Sequence, residues 1–270
     1  MTDDRELVPD GARPSAYVLR VGGADQSHVD LDDPTYLAFD YVRRIGDVLD
    51  AIEPAGEPLR VVHVGGAGMT LARYLATTRP RSSQVVLEPD ESLTTFVREH
   101  LPLPRRSGIK VRGIDGRSGL TAFPDDSVDV VVVDAFAAAR VPAELTTREA
   151  LADVRRVLRA GGLVALNLAD RAPFGYTRRV VAGLRAEVGD VLLSAEPGTL
   201  AGRRFGNVLA VASPAPLPVA ALQRRAAGSP LPYRVLEGHA VDDRVGKGTP
   251  FTDADAEPSP PPPGGATYFA

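Results

Sequence analysis

The 270-residue sequence contains no cysteine. This absence excludes disulfide bonds, a thiolate nucleophile and every metal site that depends on cysteine ligands. The four histidines are scattered and form neither an HExxH pattern nor a close pair, so we expect no zinc or other metal. Cysteine chemistry and metal chemistry are therefore set aside as functions.

A basic excess and a long apolar run are also missing. The formal net charge is -4, with 31 Lys and Arg against 35 Asp and Glu, so nucleic acid is not the expected partner. No stretch approaches the length of a transmembrane helix, and residues 1–15 lack the basic and then apolar order of a signal peptide. We expect a cytoplasmic protein without a membrane partner.

Short apolar runs alternate with helical patterns from residue 59 to residue 169. The apolar runs predict buried strands, at 59–64, 84–88, 109–114, 128–136 and 161–169. Helical stripes lie between them, at 70–78, 91–101 and 147–160. Continuous apolar strands separated by helices predict a mostly parallel sheet with helices on both faces. We expect an α/β, Rossmann-like fold of the class I S-adenosylmethionine-dependent methyltransferase type.

The amino-terminal segment predicts a small β-hairpin followed by a helix. Strand-like runs at 17–21 and 27–31 flank a Gly-Gly-Ala-Asp turn, after a loose lead-in over 1–15. Asp33 and Pro34 have the chemistry of an N-cap and of a first helical residue. A helix is therefore expected to begin at this pair.

The carboxyl-terminal part is rich in proline, alanine and glycine beyond residue 214. Before it, a helical pattern at 176–189 precedes runs at 191–196 and 207–213 that could pair as a terminal hairpin. Residues 254–265 are expected to be disordered or an extended polyproline segment, so deleting residues 258–270 should leave the melting temperature nearly unchanged. We divide the chain into an amino-terminal hairpin and helix, a Rossmann-like nucleotide-binding domain and a carboxyl-terminal extension, at 1–56, 57–213 and 214–270.

A glycine-rich turn follows the first strand of the alternating region. Gly65, Gly66 and Gly68 lie in VHVGGAGMTL, where glycine permits a tight turn and a close approach of the backbone to a ligand. The dinucleotide fingerprint GxGxxG needs a third glycine where this sequence has Leu71. The turn therefore favours an adenosyl ligand without a pyrophosphate over a nicotinamide cofactor, and a plain strand-to-helix turn is the alternative.

Acidic residues follow the next strands. Glu88 lies 22 residues after Gly66, the spacing at which an acid accepts hydrogen bonds from ribose hydroxyls. Asp115, with Gly116, can accept from the exocyclic amino group of adenine or simply form a turn. Asp134 ends the most hydrophobic strand, where it would lie beside the ligand. Because parallel strands place their carboxyl ends at one edge of the sheet, these residues predict one adenosyl site.

Several motifs together resemble the spermidine synthase family, and most closely its actinobacterial spermidine synthase-like branch. These motifs are VHVGGAGMTLARYL, VVLEPD, IDGRSGL, VDVVVVDAF, VPAELTTREAL and VLRAGGLVALNL. DQSHVDLDDPTYLAFDY and PFTDADAEPSPPPP fit the same branch, so the resemblance covers most of residues 17–257. It implies transfer of an aminopropyl group from decarboxylated S-adenosylmethionine to a small amine such as putrescine, with methylthioadenosine leaving.

The resemblance also implies a role for each site residue. Glu88 would bind the ribose and Asp115, with Gly116, the adenine. Asp134 would match the first aspartate of the family's D-x-x-D-P segment, which helps to deprotonate and orient the amine. The glycines that would border the donor chain are Gly65, Gly66 and Gly68. Weaker candidates for the amine site are Gln26, Asp33, Tyr36 and Asp253.

The sequence departs from the family pattern on the amine side. Gly68 stands where the family's GGGDG turn has an acid, and Ala137 stands where it has a second aspartate. Two alternatives therefore stay open: a methyltransferase that uses intact S-adenosylmethionine, and a catalytically silent nucleotide-binding homologue. A homodimer is the expected assembly, since dimers are the commonest soluble oligomers and are common in the family.

Overall fold

The computed structural model describes residues 4–265 and residue 268. Its strands are β1 (Arg5–Pro9), β2 (Ala16–Val21), β3 (Ala24–Asp30), β4 (Arg60–Val64), β5 (Ser83–Leu87), β6 (Ile109–Arg112), β7 (Val128–Val133), β8 (Leu158–Asp170), β9 (Asp190–Ala195), β10 (Gly206–Ser213) and β11 (Arg234–Glu237). Its α-helices are α1 (Asp40–Asp50), α2 (Thr70–Thr78), α3 (Glu91–His100), α4 (Gly116–Thr121), α5 (Arg148–Val157), α6 (Gly175–Glu187), α7 (Pro197–Leu200), α8 (Val219–Gly228) and α9 (His239–Val245). The strands predicted between residues 59 and 169 are all present, within three residues of their predicted ends.

The central sheet has eight strands in the order β11-β9-β10-β8-β7-β4-β5-β6. The run from β8 to β6 is parallel, whereas β10 is antiparallel to both β8 and β9. The predicted terminal hairpin of β9 and β10 is thereby confirmed. The chain lays β5 and β6 on one side of β4 and then returns to lay β7 and β8 on the other. Such a reversal opens a crevice at the carboxyl ends of the strands, where α/β sheets bind ligands.

Side chains of β7 alternate between two apolar layers. Val131 and Val133 belong to the layer formed with α5, α6 and α9, and Val130 and Val132 belong to the layer formed with α1, α2 and α8. The alternation follows from the two-residue period of a strand. Full burial of such a side chain contributes about 1.5–3 kcal/mol. The sheet therefore has helices on both faces, as the continuous apolar runs predict.

The amino-terminal segment differs from its prediction in two ways. Residues 5–9, expected to be a loose lead-in, form β1 and make the hairpin a three-stranded sheet. The helix begins at Asp40, so the predicted start at Asp33 and Pro34 is wrong. The Asp33 carboxylate instead accepts from the N–H and hydroxyl of Thr35 and from Arg13, which makes a local turn.

The carboxyl-terminal extension is more ordered than its composition suggests. It contains α8 and α9, and β11 pairs with β9 at the edge of the central sheet. Ser259 is fully buried in the proline-rich segment, which forms no helix or strand over residues 256–262. Burial is possible because the segment uses the main structure as its packing partner. The positions of the predicted domain boundaries stay a prediction, and residues 266, 267, 269 and 270 lie outside the described residues.

Candidate active site

The glycine turn packs against the backbone that follows β7. Gly65 has φ +87, and a Cβ added there would lie 2.4 Å from the carbonyl oxygen of Asp134. A Cβ on Gly66 would lie 2.5 Å from Cγ1 of Val86. Any larger residue at either position would push the turn away from its neighbours. Glycine therefore brings the ends of β4 and β7 together at the crevice.

Gly68 faces the amino-terminal sheet. Its N–H donates to Oγ of Ser27 at 3.0 Å, and a Cβ would lie 2.7 Å from Cβ of Ser27. Gly68 therefore permits close packing of β3 on the turn, and its N–H already has a partner. Its role at the donor chain stays a prediction.

Glu88 turns its carboxylate back onto the glycine turn. Oε2 accepts from the N–H of Gly66 at 3.1 Å and of Ala67 at 3.4 Å, and Oε1 accepts from the N–H of Asp90 at 3.0 Å. A carboxylate offers about four lone pairs, so Oε1 keeps capacity for one ribose hydroxyl. Glu88 could contact both ribose hydroxyls only if Oε2 gave up its hydrogen bonds from Gly66 and Ala67. Ribose binding by Glu88 stays a prediction with this added condition.

Asp115 caps α4, a short helix that the sequence patterns did not predict. Its Oδ1 accepts from the N–H of Ser118 at 2.8 Å, and this bond is the first cause of the lowered pKa of the Asp115 carboxyl. The residue is exposed, so the carboxylate also faces solvent. A Cβ on Gly116 would lie 2.2 Å from Cγ1 of Val64 at the end of β4. The predicted adenine residues thus adjoin the glycine turn.

Asp134 directly follows β7 at the same edge of the sheet. Its N–H donates to the carbonyl of Val64 at 2.9 Å, which fixes its backbone beside the glycine turn. Burial raises the pKa of the Asp134 carboxyl to about 6, against the opposing effect of a hydrogen bond from Asn167. A carboxyl with such a pKa can exchange a proton near neutral pH.

A buried amide, itself held by a second amide, binds this carboxyl. Nδ2 of Asn167 donates to Oδ1 of Asp134 at 2.8 Å, and Oδ1 of Asn167 accepts from Nδ2 of Asn207 at 3.0 Å. Sequence reasoning missed both residues. The signal for Asn167 was available, because it interrupts the apolar run of β8 and is 1% exposed. A buried polar side chain such as this one requires a hydrogen-bond partner.

Tyr41 is a third residue that sequence reasoning missed. Burial, followed by the negative charges of Asp134 and Asp40, raises the pKa of the Tyr41 hydroxyl well above its usual value. Tyr41 also stacks on Phe39, with ring centroids 6.1 Å apart. Tyr41 and Asp134 are thus close enough for their charges to interact.

Arg44 fixes the helix that carries Tyr41. Its guanidinium is 2% exposed and donates to the carbonyls of Ser194 at 2.5 Å and Asn207 at 3.3 Å. It also pairs with Asp40 at 3.1 Å. These bonds tie α1, which carries Tyr41, to β9 and β10.

The weaker candidates do not form one group. Arg13 pairs with Asp33 at 2.7 Å and lies over the ring of Tyr36, 3.9 Å from its centroid. Asp253 accepts from the Thr147 hydroxyl at 2.6 Å at the start of α5. Gln26 lies on β3, next to the serine that contacts Gly68. Their roles in amine binding stay predictions.

The described residues show no group of three His, Asp or Glu side chains arranged to hold a metal ion. Over residues 4–265 and 268, no helix combines the length and apolar character needed to cross a membrane.

A parallel sheet covered on both faces, with a glycine turn and acidic strand ends at one edge, defines the class. It is an S-adenosylmethionine-dependent methyltransferase-like α/β fold. No protein-family model matches the chain. A crystal structure of a probable spermidine synthase from Corynebacterium glutamicum is similar over 92% of each chain, with a TM-score of 0.85 and 29% identity.

Two curated proteins are similar over shorter stretches. A probable polyamine aminopropyl transferase of Bifidobacterium longum is 31% identical over 99 residues, 37% of this chain and 22% of that protein. A polyamine aminopropyltransferase of Halorhodospira halophila is 31% identical over 112 residues, 40% of each chain. The match thus spans less than half the length of either relative. Together with the similar crystal structure, these relatives show that the chain is similar to spermidine synthases and polyamine aminopropyltransferases.

Proposed function

We propose that this protein transfers an aminopropyl group from decarboxylated S-adenosylmethionine to a small-molecule amine. The observation that carries the proposal is the partly buried Asp134 carboxyl with its raised pKa at the crevice, beside the glycine turn. The names of the relatives support the same chemistry and do not favour the methyltransferase alternative.

The proposed reaction forms one bond and breaks one. The amine nitrogen attacks the carbon next to the sulfonium, and the carbon–sulfur electron pair moves to sulfur as methylthioadenosine leaves. An alkylamine is mostly protonated at neutral pH, so a base must take a proton from the nitrogen. Asp134 attracts the ammonium, orients it and accepts that proton. Asn167 occupies Oδ1, which leaves Oδ2 for the amine.

The nucleotide half of the proposed site consists of the glycine turn, Glu88 and the start of α4. Gly65 and Gly66 leave no room for larger side chains, so a ligand at this turn would contact the protein backbone. The Asp115 carboxylate belongs to an exposed residue and can accept from an adenine amino group. Glu88 has capacity for at least one ribose hydroxyl. These residues fit an adenosyl donor.

The amine half consists of Asp134, Tyr41 and the loop after β7. A diamine is commonly held by carboxylates at both ends and aromatic walls between them, and the family's second aspartate is Ala137 here. The aromatic wall and the reacting-end acid are present, whereas the far-end acid differs. We therefore propose an amine acceptor whose far end is recognised in another way than by that aspartate.

We further propose a cytoplasmic homodimer that uses no metal and has neither a nucleic-acid nor a membrane partner. The formal charge of -4 supports the absence of a nucleic-acid partner. Size-exclusion chromatography with light scattering tests the dimer, and activity in the presence of a chelator tests metal independence.

The experiment for the main proposal compares donors and acceptors. Purified protein is incubated with decarboxylated or intact S-adenosylmethionine and a panel of monoamines, diamines and polyamines, and methylthioadenosine and S-adenosylhomocysteine are both measured. Methylthioadenosine released only with the decarboxylated donor and an amine supports aminopropyl transfer. S-adenosylhomocysteine would establish the methyltransferase instead. Donor binding by calorimetry without either product would establish the silent homologue.

A further inference from the structure

The carboxyl-terminal tail crosses the strand-end edge of the sheet. Phe251 is buried against Tyr176, with ring centroids 5.6 Å apart. Asp253 then contacts Thr147 of α5 at 2.6 Å and Arg117 of α4 at 3.3 Å. Six residues later the tail reaches Ser259, which is fully buried. The proline-rich segment therefore passes from the adenine side of the proposed site to the side of Asp134.

The tail ends this path on the segment that follows Asp134. The N–H of Ser259 donates to the carbonyl of Val141 at 3.1 Å, and Oγ of Ser259 accepts from the N–H of Val141 at 2.9 Å. Arg140 donates to the carbonyl of Pro258 at 3.2 Å and also to that of Ser259. Two consecutive residues of the segment are thus bound to two consecutive residues of the tail.

The loop held in this way has an unfavourable backbone. Ala138 and Ala139 have φ 49 and φ 59, a left-handed conformation that alanine rarely adopts. The N–H groups of Ala137 and Arg140 each donate to the other's carbonyl, at 2.8 and 3.1 Å. Such strain persists only where neighbouring structure holds it, and it is concentrated at functional sites. Ser259 and Pro258 are the neighbours bound at the end of this turn.

Asp134 itself does not depend on these contacts. Its backbone is fixed by Val64 and its carboxyl by Asn167, both in the central sheet. The glycine turn and Glu88 are likewise held from β4 and β5. A disturbance at Ser259 would therefore change the loop while Asp134, the glycine turn and Glu88 stay in place.

We propose that Ser259 and Arg140 are positioning residues that hold the 135–140 loop as the wall of the amine subsite. The proposal rests on the proposed aminopropyl transfer and assigns the tail to amine recognition in that same site. In place of a second carboxylate, this chain uses a loop whose shape is imposed by its own carboxyl-terminal segment.

The test uses the full chain with Ser259→Ala or Arg140→Lys. Ser259→Ala removes the acceptor of the Val141 N–H, and Arg140→Lys removes the guanidinium geometry that reaches adjacent carbonyls. We expect the KM for the best amine to rise about fivefold, the factor that one ordinary hydrogen bond is worth. The kcat and the methylthioadenosine Kd should stay within about twofold, as for substitutions away from a contact. Amide exchange at residues 137, 140 and 141 should become faster.

Arg159→Lys is the matched control, since Arg159 pairs with Asp129 at the opposite end of β7; it should leave KM and loop exchange unchanged. Faster loop exchange with an unchanged amine KM would overturn the proposal, as would a parallel loss of methylthioadenosine affinity. Unchanged exchange in an active enzyme would also overturn it while sparing the proposed function. A wild-type protein that releases no methylthioadenosine with any amine would overturn both the proposed function and this proposal.

Discussion

The nucleotide half and the amine half of the proposed site are built differently. On the nucleotide side, Gly65, Gly66 and Glu88 follow adjacent parallel strands, and they contact one another over about one βαβ unit. On the amine side, Asp134 contacts Asn167, and its loop contacts Ser259, 118 residues away from Val141. Local motifs therefore place the donor, whereas long-range packing shapes the acceptor space. The two halves should respond differently to substitution.

Replacing the proposed base should have the largest effect. Asp134→Asn keeps the size of the side chain and removes its ability to take the proton from the amine. We expect turnover to fall by about a hundredfold or more, the usual contribution of a general base, with methylthioadenosine affinity retained. Single-turnover rates and calorimetry measure the two quantities. Equal loss of binding and turnover would show that the two halves are not separable at Asp134.

The matching substitution on the nucleotide side is Glu88→Ala. Charge-assisted hydrogen bonds contribute about 1.5–3 kcal/mol each, so methylthioadenosine affinity should fall about tenfold or more. The same change frees the N–H groups of Gly66 and Ala67, and a lower melting temperature should accompany it. Glu88→Gln is the control, because it keeps an acceptor for the turn. Full affinity in Glu88→Ala, measured by calorimetry, would exclude the ribose role.

Removing the Asn167 amide should change the pKa of the proposed base, Asp134, without changing nucleotide affinity. The Asn167 hydrogen bond lowers the pKa of the Asp134 carboxyl, so Asn167→Ala should raise that pKa further. The acidic limb of the kcat profile should then move to higher pH by about one unit, the equivalent of about 1.4 kcal/mol. The kcat of the variant should therefore be lower than that of the wild type at pH 7 and should recover at higher pH. An unshifted limb would mean that Asp134 is not the titrating base.

Asp134 should also reduce the stability of the fold near neutral pH. Its folded pKa is raised from the usual 3.8 to about 6, so its favourable protonated form is lost as the pH rises through about 6. Asp134→Asn should therefore stabilise the protein at pH 7.5 by about 1–3 kcal/mol, a shift of about two units. The gain should vanish below pH 4. Denaturant unfolding at both pH values measures it.

The smallest expected effect concerns the tail. Composition alone predicts no change on deleting residues 258–270, but this deletion removes the hydrogen bonds of Ser259 and of the Arg140 guanidinium. A loss of about 1–2 kcal/mol corresponds to a fall of a few degrees in melting temperature for a chain of this size. Calorimetry of the truncated chain measures this. An unchanged melting temperature would restore the prediction from composition.

The elements predicted correctly share a local cause. Apolar strands such as 128–133 and the helix over Thr70–Thr78 are specified by periodicity and by turn residues within the same segment. The helix start was wrongly predicted at Asp33 because Arg13, twenty residues away, binds the carboxylate that was expected to cap the helix. The burial of the tail was not predicted because it depends on contacts with Arg140 and Val141. The composition of the tail does not reveal these contacts.

The sequence by itself determined the parallel sheet, the glycine turn and the acidic strand ends, because hydrophobic period and glycine conformation act within a few residues. It also indicated the spermidine synthase-like family. Only the tertiary structure decided that Asn167 donates to the Asp134 carboxyl, that Asn207 in turn donates to Asn167 and that Ser259 bonds to the segment after the strained loop. These contacts join strands and segments far apart in the chain. Their geometry exists only after the sheet has assembled and desolvated the Asp134 carboxyl.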